Sequence, residues 1–242
     1  LGGFRLSPEC RDRFSQLTRR SALEGHALVI GASGGIGQAL ADELKARGSR
    51  VTCLSRSHEG LDITSEDAVS TALGRLEPQF DRIIVATGIL SGEKGPEKSL
   101  QALSADDMAN LFAVNTIGPA LVLKHAKRLL PKNERAVFAA LSARVGSIGD
   151  NGLGGWYSYR ASKAALNQVI RTASIELKRT HKHLICAALH PGTVETEFTR
   201  NYPQHKTIPP QQAAGNLLNV IDDLSPDDSG QFFDWAGKRV PW

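Results

Sequence analysis

Tyr159 and Lys163 stand four residues apart in the run Gly155-Trp-Tyr-Ser-Tyr-Arg-Ala-Ser-Lys163. On a helix that spacing places both side chains on one face. A phenol that titrates at about 10 is a poor acid–base group at neutral pH, but a neighbouring ammonium favours the phenolate and lowers that value. Such a pair can pass a proton to or from a hydroxyl or carbonyl oxygen. Nearer the N-terminus, Gly31-Ala-Ser-Gly-Gly-Ile-Gly37 follows the apolar run Ala27–Ile30 and leads into a helical pattern. A glycine turn between strand and helix lets the backbone approach a pyrophosphate, whose charge is held by the N–H groups and positive end of the helix. The spacing is GxxxGxG rather than GxGxxG, so the placement between strand and helix carries the assignment. Sites for NAD usually set an acid at the end of the second strand, about 20 residues further on. Here Val51-Thr-Cys-Leu54 leads to Ser55 and Arg56. An acid would repel a 2′-phosphate and a guanidinium pairs with it, so NADP(H) is expected over NAD(H).

These residues need a scaffold that brings strand ends together. Short runs of Val, Ile, Leu and Ala alternate with helical patterns along the chain. The expected strands are Ala27–Ile30, Arg50–Leu54, Arg82–Ala86, Ala136–Leu141, Leu184–Leu189 and Gln231–Asp234, with helices at about 35–47, 65–77, 105–129, 157–180 and 211–223. That alternation predicts an α/β fold: a doubly wound, mostly parallel Rossmann-type sheet with helices on both faces.

The 242 residues divide into a basic N-terminal extension, 1–25, and one domain for dinucleotide binding and catalysis, 26–242. The extension carries Arg5, Arg11, Arg13, Arg19 and Arg20, and Ser7-Pro8-Glu9 predicts a helix start with Cys10, Phe14 and Leu17 as its apolar stripe. With 41% hydrophobic and 22% charged residues the composition is globular, which excludes collagen, coiled coil and disorder. A net charge of +4 is too diffuse for a nucleic-acid binder. Cys10, Cys53 and Cys186 form no CxxC pair and are odd in number, which argues for a reducing compartment and against a structural zinc. No apolar run is long enough to span a membrane and no segment resembles a secretory signal, so a cytoplasmic protein is expected.

Taken together, Gly31, Gly35 and Gly37, Asn115 in Val-Asn-Thr-Ile-Gly, Tyr159 with Lys163, and Pro191-Gly-Thr-Val-Glu-Thr196 resemble the short-chain dehydrogenase/reductase family over about residues 26–242. The short segment Ser57–Thr64, the run from Gly155 to Lys163 and Phe232-Phe-Asp-Trp235 look most like its C-factor and sniffer-type carbonyl reductase branch. The resemblance implies Tyr159 as the catalytic acid–base group. Lys163 would bind the nicotinamide ribose, and Asn115 would interrupt its helix and hold a water that links Lys163 to solvent. Asp62, with Ile63 beside it, matches the adenine-contacting acid, and Ala86-Thr87-Gly88 the Asn-Ala-Gly segment that lines the cofactor. Pro191, Gly192, Val194 and Thr196 would cover the nicotinamide. With Ser33 and Ile36 in the glycine turn, and Ser55 and Arg56 after the second strand, these residues complete the expected cofactor site. No metal is implied.

One position departs from the family pattern. The serine that binds the substrate carbonyl oxygen is replaced by Ala143, sixteen residues before Tyr159. Ser142 is taken as the candidate hydroxyl, with Ser147 as the other possibility; losing such a donor costs about 2.7–4 kcal/mol of transition-state stabilisation. The implied activity is NADPH-dependent reduction of a small carbonyl compound, or oxidation of the alcohol, in a pocket bounded by Ser142–Trp156 and a lid at Glu197–Pro210. A C-factor-like signalling protein that binds cofactor with weak or no turnover is the alternative. The family also implies a homodimer or homotetramer through the helices at 105–129 and 157–180, where Leu121, Leu123, Leu166, Val169 and Ile170 could serve the contact or face the sheet.

Overall fold

The computed structural model describes residues 25–92, 95–200 and 206–242. The expected N-terminal helix and Cys10 lie outside them.

Six strands form one sheet: β1 (His26–Ile30), β2 (Arg50–Leu54), β3 (Arg82–Val85), β4 (Ala136–Leu141), β5 (Leu184–His190) and β6 (Gln231–Asp234). Their order is β2-β1-β3-β4-β5-β6 and every pairing is parallel. The four inner strands are almost entirely buried, which is why they read as continuous apolar runs rather than alternating ones. Alternate residues serve opposite faces. Leu28, Ile30, Ile83, Val85 and Phe138 join one core cluster, while Ala27, Val29, Ile84, Val137 and Ala139 join the other.

The helices are α1 (Gly35–Ala46), the single turn α2 (Arg56–Glu59), α3 (Glu66–Gly74), α4 (Ala105–Phe112), α5 (Gly118–Ala126), α6 (Tyr157–Leu177) and α7 (Pro210–Asp223). Ser65 and Ser104 cap α3 and α4 by accepting from the N–H of Ala68 and Asp107. By contrast α1 and α6 start without a side-chain cap of their own. Between α4 and α5 the chain makes a π turn, Ala113–Ile117, so the helix expected at 105–129 is interrupted at Asn115. The turn α2 falls in a segment for which the periodicity predicts no element.

At the far edge, Phe233 bridges antiparallel to Arg239, and the Trp242 carbonyl accepts from the N–H of Gly149 at 2.8 Å. Trp242 also stacks on Phe232, with ring centroids 6.2 Å apart. Among the described residues no helix is long and apolar enough to cross a membrane.

Candidate active site

The strand order reverses between β2-β1 and β3, and the crevice beyond the carboxyl ends of β1 and β3 is where open α/β sheets bind ligands. Gly31 leaves β1 at φ +85°, and a Cβ there would meet Thr87 Cγ2 at 2.9 Å and the Ala86 carbonyl carbon at 3.0 Å. A Cβ on Gly37 would stand 2.1 Å from the Gly31 oxygen, so this glycine lets α1 pack on the turn that feeds it. On Gly35 the obstacle would be Thr196 Cγ2 at 2.7 Å, which puts the segment after β5 across the start of α1. Ser33 lies exposed in that turn. Like any helix start, α1 leaves the N–H groups of Gly35, Ile36 and Gly37 without intrahelical partners, and no acidic residue stands in its first turn. The cradle fits a pyrophosphate: small, positively polarised and clear of side chains.

At the other end of the crevice Ser55 is buried, 3% exposed, and both its N–H and its hydroxyl donate to Glu59 Oε2, at 2.7 and 2.8 Å. Arg56 is exposed beside it. The charge balance around Ser55 therefore includes a carboxylate, Glu59, which the search for an acid directly after β2 does not reveal. Asp62 is exposed, and its carboxyl is held below the ordinary range mainly by the hydroxyl and N–H of Thr64. Ile63 is buried against Gly118, where a Cβ would come 2.6 Å from Ile63 Cδ1.

Tyr159 and Lys163 lie on the first turns of α6, 6% and 3% exposed. The Lys163 Nζ donates to the Leu141 carbonyl at the end of β4, 2.8 Å away, and lies 6.0 Å from the centre of the Tyr159 ring. Burial favours the neutral form of each group: it pushes the phenol above its ordinary value and lowers Lys163 to about 7. Both would respond to an added charge. Gly88 stands over Lys163 and Asn115, since a Cβ there would be 3.3 Å from Asn115 Oδ1 and 3.4 Å from Lys163 Nζ. The Asn115 side chain, fully buried, accepts from the N–H of Ile89 and donates to its carbonyl, both at 2.9 Å, and donates to Ser162 Oγ at 3.1 Å. Its amide thus braces the chain after β3 against α6.

Both candidate serines have hydrogen-bond partners inside the protein. Ser142 donates its hydroxyl proton to Asn167 Oδ1 at 2.7 Å, so that proton is spent inside the protein. Asn167 lies one turn beyond Lys163 on α6, and its direction is invisible in the sequence around Ser142. Ser147 is also buried, and its oxygen accepts from the N–H of Asp150. Two aromatic rings flank Tyr159 instead: Trp156, edge-on at 6.2 Å, and Phe198 at 5.9 Å. Trp156 sits in the left-handed region at φ 53°. Neither ring is among the residues expected to act in catalysis or hold cofactor, although both fall in the segments expected to bound the pocket, and the Gly154-Gly155 pair before Trp156 marks an unusual backbone.

Pro191 and Val194 are buried after β5, and Gly192 turns at φ +83° with the Trp235 ring close enough that a Cβ would touch it at 3.1 Å. The segment is held by Ile208, whose N–H donates to the Thr193 carbonyl and whose carbonyl accepts from Glu195. The lid expected at Glu197–Pro210 is described only in part, because 201–205 fall outside the described residues. Among the described residues no cluster of His, Cys, Asp or Glu could hold a metal ion.

A protein family described as enoyl-(acyl carrier protein) reductase matches residues 31–230, from the first glycine to the start of β6. The chain belongs to the short-chain dehydrogenase/reductase family. This short-chain dehydrogenase/reductase is 33% identical over 231 residues to 1-hydroxy-2-glutathionyl-2-methyl-3-butene dehydrogenase of Rhodococcus sp. strain AD45, covering 89% of this chain and 98% of that one. It is 38% identical to C-signal of Myxococcus xanthus over 136 residues, 56% of this chain and 79% of that one. Its fold superposes on NADPH-bound carbonyl reductase from chicken fatty liver with a TM-score of 0.78 at 25% identity, covering 90% and 99% of the two chains. The carbonyl reductase Sniffer of Drosophila melanogaster shares the fold, with a TM-score of 0.78 at 22% identity and coverage of 90% and 100%. The protein is an oxidoreductase of this family with its Rossmann-type fold.

Proposed function

We propose that this short-chain dehydrogenase/reductase is an NADPH-dependent carbonyl reductase, with Tyr159 as acid–base group. The observation that carries the reading is the convergence of Lys163 and Asn115 beneath Gly88, with the Tyr159 ring centred 6.0 Å from Lys163 Nζ, at the same end of the sheet as the glycine cradle. The cradle at Gly31, Ser33, Gly35, Ile36 and Gly37 would hold the pyrophosphate, Asp62 and Ile63 the adenine side, and Ser55 and Arg56 the 2′-phosphate. Ala86, Thr87, Gly88, Pro191, Gly192, Val194 and Thr196 would line the nicotinamide end. The hydroxyl oxygen of Thr87, buried without a partner, is one polar atom available there. When bound, NADPH supplies the hydride.

Tyr159 donates its proton to the substrate oxygen, and the high pKa that burial imposes keeps that proton in place until the oxygen becomes basic. Protonated Lys163 stabilises the phenolate left behind, and an ionisation near 7 lets it gain or lose a proton without a large barrier. Asn115 would sit on the route that resupplies the proton, by a water beside Lys163. With Ala143 offering no hydroxyl and the Ser142 proton given to Asn167, the substrate oxygen would depend chiefly on Tyr159. The Trp156 and Phe198 rings favour a small carbonyl compound or alcohol with an apolar or aromatic body.

The test is a panel of aldehydes and ketones with NADPH and NADH. Reduction with NADPH is expected, and Tyr159→Phe should lower kcat at least 1000-fold, on the order of the loss of a general acid. Turnover that survives the substitution would overturn the scheme. Ala143 supports a second reading, a C-factor-like signalling protein; tight NADPH binding with no reduction across the panel would favour it. A cytoplasmic homodimer or homotetramer remains part of the proposal.

A further inference from the structure

Glu97 enters no part of the site described so far, yet it is only 7% exposed. Its partners are at the start of α6. Ser158 Oγ donates to Glu97 Oε1, the Ser158 N–H donates to Oε2 at 3.4 Å, and the N–H of Trp156 donates to the Glu97 carbonyl at 2.5 Å. A helix leaves its first N–H groups without internal partners and favours negative charge beside them. The 21-residue α6 has neither provision of its own: no side-chain hydrogen bond from the cap position, Trp156, closes its first turn, and no acidic residue lies there. A carboxylate from 61 residues away supplies both.

The place of this contact matters more than the cap itself. Ser158 immediately precedes Tyr159. One turn further on, Ser162 receives the amide of Asn115 and donates its own hydroxyl to the Tyr159 carbonyl at 2.9 Å. The segment joining β3 to α4 therefore reaches α6 directly through Glu97 at Ser158, and a second time by way of Asn115 in the π turn, which joins Ile89 of that segment to Ser162. The turn that bears Tyr159 lies between the two grips. A local serine or aspartate at position 156 would cap the helix, but would not tie that turn to the segment beside the cofactor crevice.

We propose that Glu97 is a positioning residue that clamps the first turn of α6 and so sets the Tyr159 hydroxyl against the substrate. The proposal rests on the reading of Tyr159 as acid–base group. A reacting group displaced by about 1 Å loses about 100-fold in rate. Glu97→Ala is expected to lower kcat for carbonyl reduction about 30–100-fold. Glu97→Gln, which keeps one acceptor oxygen of two, should lower it about 3–10-fold. The NADPH Kd, read by fluorescence titration, should stay within about two-fold in both variants, because Glu97 touches none of the cradle. Hydrogen exchange read by mass spectrometry should show faster exchange of amides 156–159 while 166–174 keep their protection. The isosteric Gln variant decides the matter if the Ala variant fails to fold. Wild-type kcat in Glu97→Gln, unchanged exchange at 156–159, or loss of protection along the whole of α6 would overturn the clamp. A wild-type protein that binds NADPH and reduces nothing overturns the carbonyl-reductase reading instead, and the exchange pattern then decides the clamp by itself.

Discussion

A 2′-phosphate held at Ser55 as proposed would compete with a carboxylate already in place, because Glu59 Oε2 accepts from both the N–H and the hydroxyl of Ser55. Glu59→Gln removes that negative charge. NADPH should then bind at least about three-fold more tightly while NADH is unaffected, and Arg56→Ala should weaken NADPH about ten-fold, the worth of one charge-assisted hydrogen bond. Fluorescence titration with each nucleotide measures both. A second residue-scale expectation concerns acid. Burial, and then the Arg144 guanidinium, lower His190 from 6.5 to about 4 against the opposing pull of Asp234, and its Nδ1 has no partner. As the pH falls through 6.5 the unfolded chain takes up a proton that the folded chain refuses until about 4. Stability is therefore lost across that window, by on the order of 3 kcal/mol from this group alone. His190→Asn should flatten the urea midpoint against pH between those values.

The elements owe their placement to patterns of unequal range. The inner strands are legible in sequence because a strand buried on both faces has no polar side to show, and their observed limits differ from the expected ones by a residue at most. The glycine turn is equally legible, since Gly31, Gly35 and Gly37 each answer to a contact that a side chain would violate. What could not be read is where hydroxyls point: Ser142 is aimed by Asn167, 25 residues away, and Ser158 by Glu97, 61 residues away, and no local spacing encodes either. The π turn stands between these cases. Asn115 marks it, but the two strands of contact that make it worthwhile, to Ile89 and to Ser162, are tertiary. Asn115→Ala would leave the Ile89 N–H and carbonyl and the Ser162 hydroxyl short of a partner in a dry interior. A loss on the order of 2–4 kcal/mol in unfolding free energy is expected by urea denaturation, beyond any effect on turnover.

In the whole molecule, the apolar residues weighed for self-association mostly face inwards, Val169 being half-buried. Leu123, Leu166 and Ile170 are buried in the core beneath the sheet, and Leu121 packs against it, so they are not available to a partner copy. Ile117 and Ile175, 50% and 54% exposed, remain on the outer side of the same helical layer. If those helices meet a second copy, Ile117→Lys with Ile175→Lys should shift the light-scattering mass towards the monomer; an unchanged mass would place the contact elsewhere. The last residues have a different consequence. Because Arg239 pairs with the outer strand and the Trp242 carbonyl accepts from the Gly149 N–H, residues 239–242 are linked to the loop that runs on to Trp156 and the start of α6. Replacing Gly149 by proline, which removes the N–H that the Trp242 carbonyl accepts from, should thus be felt in substrate KM before it is felt in nucleotide binding. A contact at the outer edge of the sheet is in this way joined, through the intervening loop, to the start of the helix that carries Tyr159.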